Sequence, residues 1–348
     1  MIRLQRNSVR RALRIVAVLL SLFTIALLNA LPVLAGPNTP PSTLDPKGTN
    51  AATIAGLFNI VLIIAVIVFA VVEGLLLFSA WRFRHKPAGA VEPPQIHGNT
   101  RFELAWTIIP ALIVVSLFVV TLQTQQKLDN KGSTEPITVK VIGHQWWWEY
   151  QYTDLGITTG TDLVIPTGRT VNLEITSIDV IHSFWIPQLN GKTDAIPNHI
   201  NTSWLEADQP GTYFGQCAEL CGDSHANMRI VVIAKDDADF QAWVSAQQAG
   251  PAQPTTPDAT AGQQVFMTGP CVGCHAINGT AAVGKVGPNL THFGSRTHIA
   301  GGMFENTSGN LTRWLGNPPG VKPGSIMPNL HLNPADVQKL VAYLESLQ

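Results

Sequence analysis

The sequence is poor in charge: only 13% of its 348 residues are Asp, Glu, Lys or Arg, where a soluble globular protein carries about 25%. The 22 basic and 23 acidic residues nearly cancel. The chain therefore lacks the excess of basic residues that binds nucleic acids, and we expect no nucleic acid as a partner. Hydrophobic residues, by contrast, make up 45% of the chain. Low charge with high apolar content indicates a membrane protein, and the length leaves room for further domains.

Cysteine is also scarce, with four residues in the whole chain. In an exported protein an even number of cysteines favours disulfides, and four allow three different pairings. The alternative is that their thiols hold metals or cofactors, and the spacing of the four residues bears on this choice.

Residues 1–35 have the pattern of a signal peptide. Five arginines are followed by an apolar stretch at 15–28, and VLA at 33–35 forms a small-residue cleavage site. No cysteine follows this site, which excludes a lipid-anchored mature end. Because Pro32 interrupts the apolar stretch, we predict cleavage; the alternative is an uncleaved third membrane span.

Two long segments that are almost free of charge predict a transmembrane hairpin over residues 50–126, with spans at about 54–81 and 104–123. The connection between the spans is basic, and its charges are Arg82, Arg84, Lys86 and Arg101. The positive-inside rule places this connection in the cytoplasm. Both outer ends of the hairpin, and the chain after Lys127, are therefore predicted to be extracytoplasmic.

Two carboxylates lie at membrane depth in this hairpin. Glu73 is inside the first span and Glu103 is at the mouth of the second. Acids in such places usually face protein or water and often belong to a proton path. On position alone, Glu103 is more simply an interfacial charge that anchors the helix end.

Residues 135–235 carry the signals of an all-β sandwich. Short β-rich segments alternate there with Gly, Pro and Asp, as in sandwiches or Greek-key barrels of about 100 residues. The segments are ITVKVIG, WWWEYQY, TDLVIP, TVNLEITS and RIVVIA.

One loop of this domain, GQCAELCGDSHANMRI, concentrates potential metal ligands: Cys217, Cys221, His225 and Met228. Thiolate, imidazole and thioether ligands together select copper, whereas structural zinc sites use cysteine and histidine. Such a copper site usually takes a second histidine from a distant segment, and His182 in DVIHSFWIP is the candidate. Two thiolates can bridge two copper ions that share one electron. The alternative is a disulfide between the two cysteines.

The stretches GHQWWWEY, DVIHSFWIPQLNGKTDAIP and QCAELCGDSHANM resemble subunit II of the heme-copper cytochrome c oxidases. The resemblance covers the hairpin as well as the sandwich. It implies a cupredoxin-like fold that holds the dinuclear copper A centre, with two copper ions. The implied ligands are the side chains of His182, Cys217, Cys221, His225 and Met228, together with the backbone carbonyl of Glu219.

The same resemblance implies roles for three residues beyond those side chains. The side chain of Glu219 would face a magnesium site shared with subunit I. Trp146 would be the surface tryptophan through which electrons enter. Glu103, in RFELAWTIIPAL, would stand at the entrance of a proton path into subunit I.

The C-terminal part, residues 261–348, follows a linker rich in Pro, Thr and Ala at 245–260. It contains Cys271-x-x-Cys274-His275, the attachment signature of a c-type heme. A redox dithiol is the alternative, but no βαβ pattern surrounds the motif. Helical segments at both ends, with loops rich in Gly and Pro between them, resemble a small all-α class I cytochrome c.

A heme that transfers electrons takes a thioether opposite the histidine, which raises the reduction potential. Met327, in KPGSIMPNL, is the predicted ligand because a Met-Pro step before the final helix resembles the family pattern. Met303 is the second candidate, and Met267 precedes the motif. Three further histidines could ligate the iron instead, and we predict that they are exposed loop residues: His292, His298 and His331.

The domain order of hairpin, copper sandwich, linker and cytochrome c resembles subunit II of the caa-type oxidases. It implies an electron-transfer subunit of a proton-translocating cytochrome-c oxidase, multi-pass in a bacterial cell membrane, with both redox domains on the periplasmic side. Electrons would pass from a donor cytochrome c or similar carrier through heme c and copper A to subunit I. Oxygen would be reduced to water in subunit I, within a complex that includes other oxidase subunits.

Three other functions share these motifs in part. Subunit II of a quinol oxidase has the hairpin and sandwich without copper ligands, so Cys217 and Cys221 argue against it. A copper A subunit of a nitric oxide reductase would have the same electron-transfer motifs. A standalone membrane-tethered electron carrier would need no enzyme partner.

Overall fold

The structure, a computed structural model, describes residues 42–84, 94–95, 98–129 and 137–348. The predicted signal peptide lies outside the described residues, as does Lys86 in the connection between the two spans.

Two long apolar helices form the N-terminal part of the described chain. Helix α1 runs from Thr49 to Arg82 and α2 from Thr100 to Asp129, and each is long and apolar enough to cross a membrane. The two helices contact each other, as expected for a hairpin. Pro110 lies inside α2, a position that membrane helices tolerate when neighbouring groups satisfy the freed carbonyl.

Both outer ends of the hairpin are tied to the following β domain through one strand residue. The side-chain amide of Asn50, at the start of α1, donates to the Trp204 carbonyl at 2.7 Å. The indole of Trp204 donates in turn to the carbonyl of Leu128, near the end of α2, at 2.6 Å. The outer ends of α1 and α2 therefore lie on the side of the β domain, as the basic connection at the other end predicts.

The β domain is a sandwich of two five-stranded sheets. Its strands are β1 (Ile137–His144), β2 (Trp147–Tyr152), β3 (Ile157–Gly160), β4 (Asp162–Pro166), β5 (Val171–Ser177), β6 (His182–Trp185), β7 (Thr193–Ala195), β8 (Asn201–Leu205), β9 (Gly211–Cys217) and β10 (Arg229–Lys235). One sheet has the order β3-β2-β1-β5-β8 and the other β4-β10-β9-β6-β7. The pairs β1–β5 and β4–β10 are parallel and the remaining pairs are antiparallel.

Alternation of apolar residues builds the core between the two sheets. Every second residue of β5 is buried, as expected for a strand with one face on the core. Trp148, Tyr150 and Phe184 fill the centre, with Phe184 set edge-on to both other rings. The fold class predicted from the sequence, an all-β cupredoxin-like sandwich after two apolar helices, is confirmed.

Helices continue into both ends of the predicted linker. Helix α3 (Asp237–Gln248) is capped by the side chain of Asp236, and α4 (Pro257–Thr268) is capped by that of Thr256. The stretch between them, 249–256, is shorter than the predicted linker of 245–260. The sequence gives a reason for the difference, because Pro at the first position and a Thr cap favour helix initiation at Pro257.

The C-terminal domain is helical, as predicted, with one small ribbon. Its other helices are α5 (Ser308–Gly316), α6 (Pro318–Val321) and α7 (Pro334–Ser346), and the ribbon joins β11 (His298–Ile299) to β12 (Phe304–Glu305). Helices α4 and α7 cross closely at Gly262, where a Cβ atom would clash with the carbonyl oxygen of Lys339. Glycine is therefore required at this crossing.

Candidate functional site

Neighbouring strands of the second sheet bring the predicted copper ligands together. His182 begins β6, Cys217 ends β9, and these two strands pair with Phe184 opposite Cys217. The loop from β9 to β10 folds back on this edge, since the amide of Cys217 donates to the Met228 carbonyl at 2.9 Å. Residues far apart in sequence thus meet at one end of the sandwich.

Four of the side chains form a continuous chain of close contacts. Nδ1 of His182 lies 3.9 Å from Sγ of Cys217, which lies 3.7 Å from Sγ of Cys221, which lies 3.6 Å from Nδ1 of His225. Both cysteines are free. His182 and Met228 are fully buried and the cysteines nearly so. The set of soft sulfur donors with imidazole nitrogens fits copper.

His182 is oriented by Asp179, which begins the DVIHSFWIP segment and for which the sequence predicted no role. Nε2 of His182 lies 2.8 Å from Oδ1 of Asp179, which turns Nδ1 toward the thiols. Burial alone would raise the pKa of Asp179, but hydrogen bonds from His182 and from the backbone N–H groups of Val180 and Gln145 lower it. The aspartate therefore stays ionised and holds one orientation of the imidazole.

The backbone of Glu219 also faces the thiol pair. Its carbonyl oxygen lies 3.3 Å from Sγ of Cys217, so the carbonyl can serve as a ligand. The hydrogen bond between the two cysteines lowers the pKa of the Cys217 thiol and raises that of Cys221. A thiolate, the form that binds metals, is favoured at Cys217.

Trp146 contacts the backbone of a predicted ligand. Its indole Nε1 donates to the Cys221 carbonyl at 2.9 Å, and Nε2 of Gln145 donates to the same oxygen at 2.7 Å. The expected surface position of Trp146 is not observed, because only 8% of the residue is exposed. The C-terminal domain covers it: a Cβ atom at Gly324, whose φ is +75°, would lie 2.5 Å from the Trp146 ring.

The heme-attachment motif lines a large apolar cavity in the C-terminal domain. Cys271, Cys274 and His275 are on its wall. Nδ1 of His275 lies 2.9 Å from the carbonyl oxygen of Pro288, which leaves Nε2 as the atom available to an iron. Burial lowers the pKa of His275 despite this bond, so the imidazole is neutral, as a ligand must be.

Among the methionines of the described chain, Met327 shares this cavity with His275. Met267 packs against the helical core, and Met303 lies in the turn before β12. Neither is among the described residues that line the cavity. The cavity, with two thiols, an imidazole and a thioether on apolar walls, fits a covalently bound heme.

One wall of this cavity comes from the β sandwich. Gln145, Trp146, Trp147 and Thr161 line it together with the cytochrome motif. The cavity therefore borders both soluble domains, with Trp146 between it and the thiol pair.

Glu103 lies in the first turn of α2. Its Oε1 accepts a hydrogen bond from the N–H of Asn99 at 3.0 Å, which is a local capping contact. His292 departs from its prediction, since it is buried and its Nε2 lies 3.1 Å from the Gln247 carbonyl oxygen. The end of α3 covers it, and the local sequence gives no sign of that packing.

Two membrane helices, a cupredoxin-like sandwich with clustered thiols and imidazoles, and a helical domain with a heme-attachment motif together define a membrane-anchored electron-transfer protein. Family models agree along the chain: the transmembrane domain of cytochrome c oxidase subunit II matches residues 45–124 and its periplasmic domain 157–235. The cytochrome c family matches residues 259–348.

Two similar proteins each match 88% of the chain. Cytochrome c oxidase subunit 2 of Alkalihalophilus pseudofirmus is 40% identical over 88% of this chain and 91% of the relative. That of Bacillus subtilis is 33% identical over 88% and 92%. The solved periplasmic domain of subunit II from Bradyrhizobium japonicum is 31% identical, covers 34% of this chain and 97% of its own, and has a TM-score of 0.33. The chain belongs to the cytochrome c oxidase subunit II family and carries a C-terminal cytochrome c domain.

Proposed function

We propose that this chain is the electron-delivering subunit of a caa-type oxidase. Its cytochrome c domain takes electrons from a donor cytochrome or similar carrier, and its cupredoxin domain passes them to subunit I, where oxygen is reduced to water. The observation that carries this proposal is the position of Trp146, which lines the cavity at His275 and donates a hydrogen bond to the carbonyl of Cys221.

Each cofactor has its own set of residues. A dinuclear copper A centre would be held by the His182, Cys217, Cys221, His225 and Met228 side chains and the Glu219 carbonyl. Heme c would be held by Cys271, Cys274, His275 and Met327. When bound, these groups supply one-electron carriers, a role for which soft ligands and a thioether-ligated heme are suited.

The protein itself supplies orientation and a dry environment. Asp179 fixes His182, and the Pro288 carbonyl fixes His275, so each imidazole presents one nitrogen to its site. Burial of the thiols and of Met228 excludes water from the copper site. A rigid, dry ligand set keeps small the rearrangement that accompanies each electron transfer.

Two acidic residues are proposed to act toward the partner subunit. The side chain of Glu219, whose carbonyl faces the thiols, would contribute to a magnesium site shared with subunit I. Glu103, at the start of α2, would lie at the entrance of a proton path. Both roles depend on an assembly with subunit I and other oxidase subunits in the bacterial cell membrane, with the two redox domains on the periplasmic side.

The experiment that tests the proposal is purification of the full-length chain with its native partners in detergent. We expect an electron paramagnetic resonance signal from two equivalent copper nuclei, a low-spin c-type heme, and oxygen consumption with reduced cytochrome c. Mononuclear copper, or no copper, contradicts the copper assignment. Nitric oxide consumption in place of oxygen consumption would identify a nitric oxide reductase. Isolation of the fully loaded chain without a larger hydrophobic subunit would identify a standalone carrier.

A further inference from the structure

A buried lysine bridges the two soluble domains. Lys322 follows α6 in the cytochrome c domain and is only 4% exposed. Its Nζ donates to the carbonyl oxygen of Trp146 at 2.6 Å and to that of Ala300 at 2.7 Å. One acceptor belongs to the cupredoxin domain and the other to the cytochrome c domain, so a single amino group joins the two.

Burying the amino group of Lys322 costs free energy unless both of its hydrogen bonds form. An amino group removed from water loses its hydration, and burial lowers the pKa of Lys322 to about 7. Backbone carbonyls are the partners that satisfy it here, and both distances are short. Gly301 makes room for the contact, since a Cβ atom there would lie 2.6 Å from the Trp146 oxygen and 2.7 Å from Nζ of Lys322.

Further hydrogen bonds cross the same interface and fix its register. Oδ2 of Asp162, which is buried, accepts from the backbone N–H of Thr297 at 2.6 Å and from its hydroxyl at 2.8 Å. The backbone N–H of Arg229 donates to the Gly301 carbonyl at 3.0 Å. Because the two amide protons are satisfied across the interface, their protection from solvent depends on contact between the domains.

We propose that Lys322 is a positioning residue that holds the cytochrome c domain on the cupredoxin domain, with Trp146 on the wall of the heme cavity. The two hydrogen bonds of Lys322 do not involve the heme or copper ligands. Its consequence for electron transfer rests on the proposed function. In this arrangement the chain's own cytochrome c domain covers Trp146, so an external donor reaches the heme side rather than the tryptophan.

Hydrogen exchange of the full-length protein in its detergent-solubilised complex tests the positioning role. Lys322→Met removes both bonds while keeping an unbranched apolar stem. Loss of both hydrogen bonds of a buried amino group shifts a contact equilibrium by about tenfold or more. We therefore expect the amides of Thr297 and Arg229 to exchange about tenfold faster, while amides within the β1–β5 ladder and α7 keep their wild-type rates. A general loss of stability would raise exchange in those cores as well.

The matched control is Lys339→Met. Lys339 pairs with Asp336 on the same helix, at 3.0 Å and in a partly exposed position, so its removal leaves the interface intact. Exchange at Thr297 and Arg229 in Lys322→Met that equals the wild type overturns the positioning role. If the methionine variant fails to take up heme or copper, Lys322→Gln keeps a donor with a shorter reach. Its interface amides are then expected to exchange faster than the wild type, and equal exchange contradicts the proposal.

Electron transfer measured on the same variants separates this inference from the proposed function. Faster interface exchange together with slower heme-to-copper transfer supports both. Faster exchange with unchanged transfer keeps the positioning role and contradicts the proposed route through the docked domains. Unchanged exchange, with normal transfer in the wild type, contradicts the positioning role alone.

Discussion

The indole of Trp146 donates a 2.9 Å hydrogen bond to the backbone carbonyl of Cys221. The same ring lies on the wall of the cavity that contains His275. Trp146→Phe keeps an aromatic ring and removes the donor, so the connection between the cavity and the thiol pair is broken. We expect heme-to-copper transfer to slow by about tenfold, with both cofactor spectra unchanged. Flash-photolysis kinetics measure this rate, and an unaltered rate would show that Trp146 lies off the route.

Met228 is fully buried beside the two cysteines. Met228→Leu conserves volume and is expected to cost less than about 1.5 kcal/mol of unfolding free energy. The thioether is lost, so the copper resonance spectrum should change while the heme spectrum stays that of the wild type. An unperturbed copper spectrum would remove Met228 from the ligand set.

Met327 offers the complementary substitution on the heme side. Because a thioether ligand raises the heme potential, Met327→Leu should lower it and leave the copper spectrum intact. Redox titration followed by heme absorbance measures the shift. Met303→Leu is the matched control, since Met303 lies outside the cavity lining among the described residues. A shift in the control rather than in Met327→Leu would assign the ligand to Met303.

Gly324 approaches Trp146 from the cytochrome c domain with a φ of +75°. Alanine at this position combines a left-handed backbone with a contact of 2.5 Å to the ring, so Gly324→Ala should destabilise the docked arrangement by about 1 kcal/mol or more. We expect faster hydrogen exchange at the interface amides of Thr297 and Arg229. Gly309→Ala provides the control, because no atom lies within 4 Å of its Cβ position in α5. Equal exchange in both variants would argue that Gly324 is not required for docking.

Copper removal should expose the thiol pair to oxidation. The two sulfur atoms lie 3.7 Å apart in the structure, and a disulfide requires about 2.05 Å, so a small movement brings Cys217 and Cys221 together. In an oxidising buffer the copper-free protein should form a disulfide between Cys217 and Cys221. It should then bind no copper until a reductant is added. Mass spectrometry of alkylated thiols detects the change, and persistently free thiols would contradict the expectation.

Local spacing explains why much of the site is predictable from the sequence. Cys217, Cys221, His225 and Met228 lie in one loop, and the heme motif spans five consecutive positions, so each pattern carries its own chemistry. The local pattern does not place His182 in the site, since its contact with Cys217 depends on the pairing of β6 with β9. Copper-site chemistry asked for a distant histidine and made His182 the candidate, and the resemblance to subunit II supported it before the fold was known.

Other features depend on contacts that no local pattern encodes. Lys322 is an ordinary charged residue in sequence, and its role arises from burial against the Trp146 carbonyl. Asp179 precedes His182 by only three residues, but it is half-buried and its contact with that imidazole depends on the backbone bend between them. Trp146 is buried because the cytochrome c domain packs against it. The sequence predicts that domain but not where it docks. Strands β3 and β6 to β9 were not predicted, because they are short, as in the TDA of β7, or interrupted by glycine and polar residues, as in the GTYFGQC of β9.

The most direct measurement is the time course of both cofactors after rapid reduction of the heme in the full-length protein. If electrons reach the thiol-ligated copper through the cytochrome c domain, copper reduction must proceed at the same rate as heme reoxidation, and Trp146→Phe must slow both equally. Heme reoxidation without copper reduction, or copper reduction that precedes the heme, would contradict electron delivery by this route.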